Sequence, residues 1–174
     1  MVGFTGHIVV VADVSPSWLA AHLRPGQLSE AFTPPFLGAL SSHLGRRVNA
    51  VDALLIAPPA DGAMDVSLTA VTDADHPRVR RARRYRTDVS VWTAAGGVVI
   101  VGRGLAGRWE VSVEVDAGQE RHGLGRRLAG AARHLVPGGR PLWAQIAPGN
   151  AASMRAFLAA GFRPVGQEAL LVDH

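Results

Sequence analysis

Cysteine is absent from this 174-residue chain, and so is lysine. Without a thiol there can be no disulfide, no thiolate metal site and no cysteine nucleophile. Every cationic side chain is therefore arginine, and the accompanying wealth of Ala, Gly and Val marks a GC-rich coding sequence. Long apolar runs are also missing: residues 97–101 form one of the longest, far short of the roughly 20 residues that span a bilayer. The first residues, Met1-Val2-Gly3-Phe4, carry no basic segment or cleavage site, so no secretory leader is expected and the chain reads as cytoplasmic. No Gly-x-Ser-x-Gly elbow supports a Ser-His-Asp hydrolase. The seven histidines show no paired ligand spacing, and no metal site is expected. Repeats, linkers and low-complexity tracts are absent too.

What is present suits one globular domain, residues 1–174, with 48% hydrophobic and 18% charged residues. A net charge of +4 mildly favours anionic partners. The chain is organised around residues 109–134, WEVSVEVDAGQERHGLGRRLAGAARH. Alternation predicts a strand with Val111, Val113 and Val115 on one face and Glu110, Ser112 and Glu114 on the other. The turn Gln119-Glu120-Arg121-His122-Gly123-Leu124-Gly125 leads into a helix carrying Arg126, Leu128, Ala131, Ala132 and Leu135. Backbone N–H groups at such a helix start form an anion site, to which Arg121, His122 and Arg126 add positive charge. Hairpin strands precede this turn instead of a βαβ unit, which excludes a dinucleotide-binding reading of its glycines.

Elsewhere the pattern predicts strands at residues 7–12, 51–57, 65–71, 88–93, 98–103, 142–147 and 167–172. Ser15-Pro16 and Thr33-Pro34-Pro35 each open a helix, and Gly45 closes the second. Asn150 caps a last, Ala-rich helix that ends at Gly161. Residues 76–86 (HPRVRRARRYR) hold six arginines, with Val79 and Ala82 as a narrow apolar seam. These fit a solvated helix whose Arg stems cover apolar surface, or an anion-binding face for nucleic acid or an acidic acceptor. Tyr85 is the one ring available there for base stacking, a poor basis for single-strand binding, and nucleic acid is not the expected partner.

Two segments together resemble the GNAT superfamily of N-acetyltransferases. The first is the turn Glu120-Arg121-His122-Gly123-Leu124-Gly125, which keeps both glycines of the family turn and has Glu at its first position. The second runs from Gln145-Ile146-Ala147-Pro148-Gly149-Asn150 through Ser153, Arg155 and Phe157 to Gly161-Phe162. The resemblance implies an α+β fold: a mixed, mostly antiparallel sheet flanked by helices, with strands splayed at an acyl-coenzyme A site. Residues 88–172 would form the acyl-coenzyme A-binding core and residues 1–75 the acceptor-side front portion.

The implied activity is N-acyl transfer, with acetyl passing from acetyl-CoA to a primary amine by direct attack. The pyrophosphate would sit on Arg121, His122, Gly123, Leu124, Gly125 and Arg126. The pantetheine arm would lie along Val113 and Val115 and against Asn150, Ser153 and Phe157. The acceptor amine, with an ordinary pKa near ~10.4, must lose a proton; Glu110 and then Glu114 are the candidate bases. Phe157 stands where the family commonly carries a Tyr that protonates the leaving thiolate. Either the thiolate leaves unaided or Ser153 or a water serves. A non-catalytic acyl-coenzyme A-binding module and an Arg-helix nucleic-acid binder are the rival readings. No membrane partner is expected, and a homodimer is allowed.

Overall fold

The computed structural model describes residues 1–72, 75–119 and 122–173. Among these the contacts define two compact units, one of Met1–Leu54, Gln145–Gly149 and Val165–His174, the other of Leu55–Ala144 and Asn150–Pro164. This division differs from the 1–75 and 88–172 portions read from the sequence, because the first unit draws on two late segments.

In the first unit, β1 (Val2–Phe4) and β2 (His7–Val9) form an antiparallel hairpin across Thr5-Gly6, with Gly6 at φ 83°. The strand expected over residues 7–12 is therefore shorter, and its partner β1 is new. β1 also pairs antiparallel with the last strand, β9 (Arg163–Val172), which begins four residues before the expected 167. Helix α1 (Pro16–His22) starts as expected, the Ser15 hydroxyl accepting the Trp18 N–H at 3.1 Å. Helix α2 (Pro34–Leu44) ends at Gly45 in the left-handed region, φ 60°. Phe36, Leu37 and Leu40 of α2 pack with Met1, Ala31 and Ala169 as this unit's core, flanked by Trp18 and Leu19. The strand β3 (Arg47–Ala57) starts before the expected 51.

The second unit has strand order β4-β5-β6-β7-β8: β4 (Thr69–Val71), β5 (Thr87–Ala94), β6 (Gly97–Arg103), β7 (Trp109–Val115) and β8 (Leu142–Ile146). Neighbours are antiparallel except β7 and β8, which run parallel, so the sheet is mixed and mostly antiparallel. The expected strand 65–71 shrinks to β4: Asp61-Gly62 and Asp65 supply little apolar alternation, and a short edge strand resists stray pairing. Strand β6 is buried almost throughout, because both its faces are covered. On one face Val98 and Ile100 pack on Val79 and Ala82 of helix α3 (Pro77–Tyr85). On the other, a Cβ on Gly97 would lie 2.8 Å from Leu128 of helix α4 (Leu124–Ala132). Helix α5 (Ala151–Ala159) packs beside α4. No described helix is long and apolar enough to cross a membrane.

Candidate active site

Strand β7 supplies the centre of the site. It pairs with β6 along its whole length, from Arg103↔Trp109 to Gly97↔Val115. With β8 its register holds only Trp109↔Leu142 and Glu110↔Trp143 among the described residues. The other end of β7, Val113 to Val115, lines a cavity within this unit.

The turn after β7 delivers the second component. Gly123 is the N-cap of α4 at φ 72°, a conformation that costs any residue with a Cβ. Gly123 has no side chain to cap this helix, so among the described residues the first-turn N–H groups of Leu124, Gly125 and Arg126 keep their hydrogen-bonding capacity and their share of the helix dipole. Gly125 lies where a Cβ would meet Ala156 and Val115, both at 3.6 Å, so α4 sits close to α5 and β7.

The third component is the start of α5. Asn150 accepts the Ser153 N–H on its Oδ1 at 3.0 Å, the capping role expected of it. Phe157 is buried and meets Phe162 edge-on, ring centroids 4.9 Å apart.

These three components surround one cavity of about 650 Å³. It brings together Val113, Glu114, Val115, Gly123, Leu124, Gly125, Arg126, Asn150, Ser153 and Phe157, each predicted from sequence as a site residue. His122 is exposed and does not line it. Glu120 and Arg121 lie outside the described residues. Two arginines join the wall that sequence reasoning had not placed there, Arg78 of α3 and Arg155 of α5. Among the described lining residues the charged groups are three guanidiniums and the Glu114 carboxylate.

The two candidate carboxylates have different surroundings. Glu110 is not among the cavity-lining residues; its side chain is 5% exposed. Arg86 Nε donates to Glu110 Oε2 at 2.9 Å and Arg108 Nε to Oε1 at 2.7 Å. Arg86 also donates to the Ser112 hydroxyl at 3.0 Å, and Arg108 lies over the Trp143 ring at 5.6 Å. Gly104 makes the room, since a Cβ there would collide with the Glu110 carboxyl. Burial pushes the Arg86 guanidinium down from its ordinary value, while Glu110 acts in the opposite sense.

Glu114 is 39% exposed and opens onto the cavity. Arg78 Nε donates to its Oε2, and the Arg78 hydrogen bond holds this carboxyl below its ordinary value. His76 Nε2 is 3.8 Å from Glu114 Oε1. His76 Nδ1 accepts the Arg78 N–H at 3.2 Å, so in the neutral ring the proton sits on Nε2, toward Glu114.

The pairing of α3 with β7 follows from lengths. Arg78 and Arg86 are eight residues apart and Glu110 and Glu114 four. Helix rise makes the first span about 12 Å and strand rise the second about 13 Å. Two ion pairs can therefore form at once along antiparallel elements. The other α3 arginines are also engaged: Arg80 pairs with Asp75, Arg83 donates to the Thr72 carbonyl at 3.0 Å, and Arg81 and Arg84 each lie 5.4 Å from the Tyr85 ring centre. Arg80, Arg81, Arg83 and Arg84 are exposed, while Val79 and Ala82 are buried. No described group of three or more His, Cys, Asp or Glu is placed to hold a metal.

No protein-family model and no curated protein matches the sequence. Solved structures do match by fold. A GCN5-related N-acetyltransferase from Kribbella flavida superposes with a TM-score of 0.53 at 18% identity, over 80% of this chain and 64% of that one. Another GCN5-related N-acetyltransferase, from Sphaerobacter thermophilus, aligns with a TM-score of 0.47 at 16% identity, over 83% of this chain and 59% of that one. The chain thus spans less than two thirds of the length of either protein. Its fold is that of the GCN5-related N-acetyltransferases, in agreement with the resemblance carried by the glycine turn and the Asn150 segment.

Proposed function

We propose that this protein is an acyl-coenzyme A-dependent N-acyltransferase that passes acetyl from acetyl-CoA to a primary amine by direct attack. The observation that carries the reading is the single cavity on which the start of α4, the Val113–Val115 end of β7 and the Asn150 end of α5 converge. In this reading the N–H groups of Leu124, Gly125 and Arg126 hold the donor's pyrophosphate, with the Arg126 and Arg155 guanidiniums adding charge. The pantetheine arm runs along Val113 to Val115, where a backbone N–H stabilises the oxyanion as the amine attacks. Asn150 and Ser153 contact that arm, and Phe157 forms its apolar floor.

Of the two carboxylates, Glu114 is the one at hand to receive the acceptor's proton. Glu110, with both oxygens engaged by guanidiniums, fixes β7 instead. The amine nitrogen bonds to the thioester carbon, the C–S bond breaks, and the products are an amide, the coenzyme A thiol and a proton. Phe157 has no proton to donate, so the thiolate leaves unaided or takes one from Ser153 or water. A cytoplasmic setting is part of this reading.

The test is thermal unfolding with and without acyl-coenzyme A esters, followed by a thiol-release assay with an amine panel. A ligand at about 100 times its Kd stabilises by roughly 2.7 kcal/mol, a shift of about 5–10 °C at this size. A shift with no thiol release would favour a binding module, the alternative suggested by the missing hydroxyl at Phe157. No shift in a folded sample would overturn the assignment.

A further inference from the structure

We infer that the acceptor carries a carboxylate close to its reacting amine, as a free α-amino acid does, and that Arg78 and Glu114 read the two charges together. The inference rests on the cavity being the acyl-coenzyme A site and names the class of its second substrate.

The argument starts from the pair in the cavity wall. Arg126 and Arg155 belong to α4 and α5, on the side assigned to the donor phosphates, whereas Arg78 reaches the cavity from α3 and meets Glu114. Glu114 and Arg78 are 39% and 43% exposed, so the pair is open to a ligand. Arg78 spends Nε on Glu114, and its two terminal nitrogens make no other hydrogen bond among the described residues. A guanidinium with donors to spare matches a carboxylate in geometry as well as charge.

Each class of acceptor makes a different exchange. A simple monoamine must compete with Arg78 for Glu114, and success leaves the guanidinium without its counter-ion. An acceptor with both charges close together replaces one ion pair by two: ammonium on Glu114, carboxylate on Arg78. A peptide N-terminus lacks the adjacent carboxylate and falls with the monoamines. The same exchange helps the chemistry. Arg78 is what holds the Glu114 carboxyl below its ordinary value; a substrate carboxylate that shares the guanidinium restores proton affinity to Glu114 as the amine arrives. The ammonium gives up one proton before attack and a second as the amide forms, the thiolate taking one and solvent the other.

The experiment uses acetyl-CoA with matched sets: an α-amino acid, its carboxamide and its decarboxylated amine, each assayed by thiol release and product mass. The carboxamide has the less basic amine, so a larger neutral fraction and intrinsic chemistry favour it. A preference of order tenfold or more in kcat/KM for the free amino acid supports the inference, since a site built for a polar group rejects the analogue that lacks it. Arg78→Gln should shrink that preference mainly through KM, and Arg78→Lys, which keeps the charge and loses the fork, should restore part of it. Equal or faster turnover of carboxamides or plain amines overturns the acceptor class and leaves acyl transfer standing. An acetyl-CoA melting shift with no acylation of any amino acid also overturns it. Absence of both shift and turnover overturns the acyl-coenzyme A reading along with it.

Discussion

Glu110 and Glu114 sit on the same face of the same strand, one paired with Arg86 at the C-cap of α3 and the other with Arg78 in its first turn, yet their surroundings differ. At Glu110 a carboxylate is almost wholly buried, with a guanidinium on each oxygen and a glycine niche behind it. At Glu114 the carboxylate is well exposed, held by one guanidinium and open to a cavity. A buried charge is tolerable only when fully paired, and removing one partner exposes the whole desolvation cost. A half-exposed pair costs little to open because water screens it. Depth alone therefore turns one chemical motif into a fastening at one end of α3 and an exchangeable contact at the other.

Breaking the buried end gives the largest expected effect. Glu110→Ala leaves the buried Arg86 and Arg108 guanidiniums without their shared carboxylate and should lower stability by about 3–5 kcal/mol, read from urea unfolding midpoints. A loss under about 1 kcal/mol would mean that water reaches these groups. Gly104→Ala attacks the same cluster sterically. The crowded Glu110 carboxyl beside Gly104 should cost the variant about 1–3 kcal/mol. If its unfolding midpoint matches the parent, the cluster can shift to admit a methyl group.

Gly123→Val moves away from both carboxylates. Among the described residues nothing lies within 4 Å of a Cβ there, and the backbone penalty is about 1–2 kcal/mol at φ 72°. Calorimetric titration should show acetyl-CoA binding weakened or lost as the α4 start is distorted. Retained affinity would remove the turn from the donor site.

Glu114→Gln should have the smallest effect on folding, within about 1 kcal/mol, but should cut turnover by roughly a hundredfold or more. Its stability effect also has a sign in pH. The folded carboxyl lies below its ordinary value of 4.5, so its contribution is present above that value and lost as pH falls through the lower folded one. The gap between parent and Glu114→Gln should close on acidification below 4.5 and stay constant above it.

Much of the second unit was legible because its signals are local. Alternation in residues 109–115, the glycine turn at 123 and an N-capping Asn at 150 each act within a few neighbours, and β7, α5 and the start of α4 formed where expected, while α4 ends at Ala132, short of the expected Leu135. The misses have a common cause. Strand β1 is three residues long and exists through its partners β2 and β9, while β4 keeps only the stretch that pairs with β5. Arg78 read only as one of six arginines on a possible anion-binding face, since the partner that aims it, Glu114, is 36 positions away. Glu110 was named as a base from its place on the strand before the glycine turn, as the resemblance implies, and alternation gave no sign that it is buried. What buries it is Arg86, 24 positions earlier, together with the space at Gly104.

The matched lengths of α3 and β7 set a rule for how this face can change over generations. Substitutions at 78 or 114 alter what the cavity selects and leave the Arg86–Glu110–Arg108 cluster to hold the helix. Insertions are another matter. One residue added between Arg78 and Arg86 would swing Arg78 by about 100° around the helix, away from Glu114, with Arg86 still fixed. Variation here should run through the identity of side chains and spare the number of residues between them.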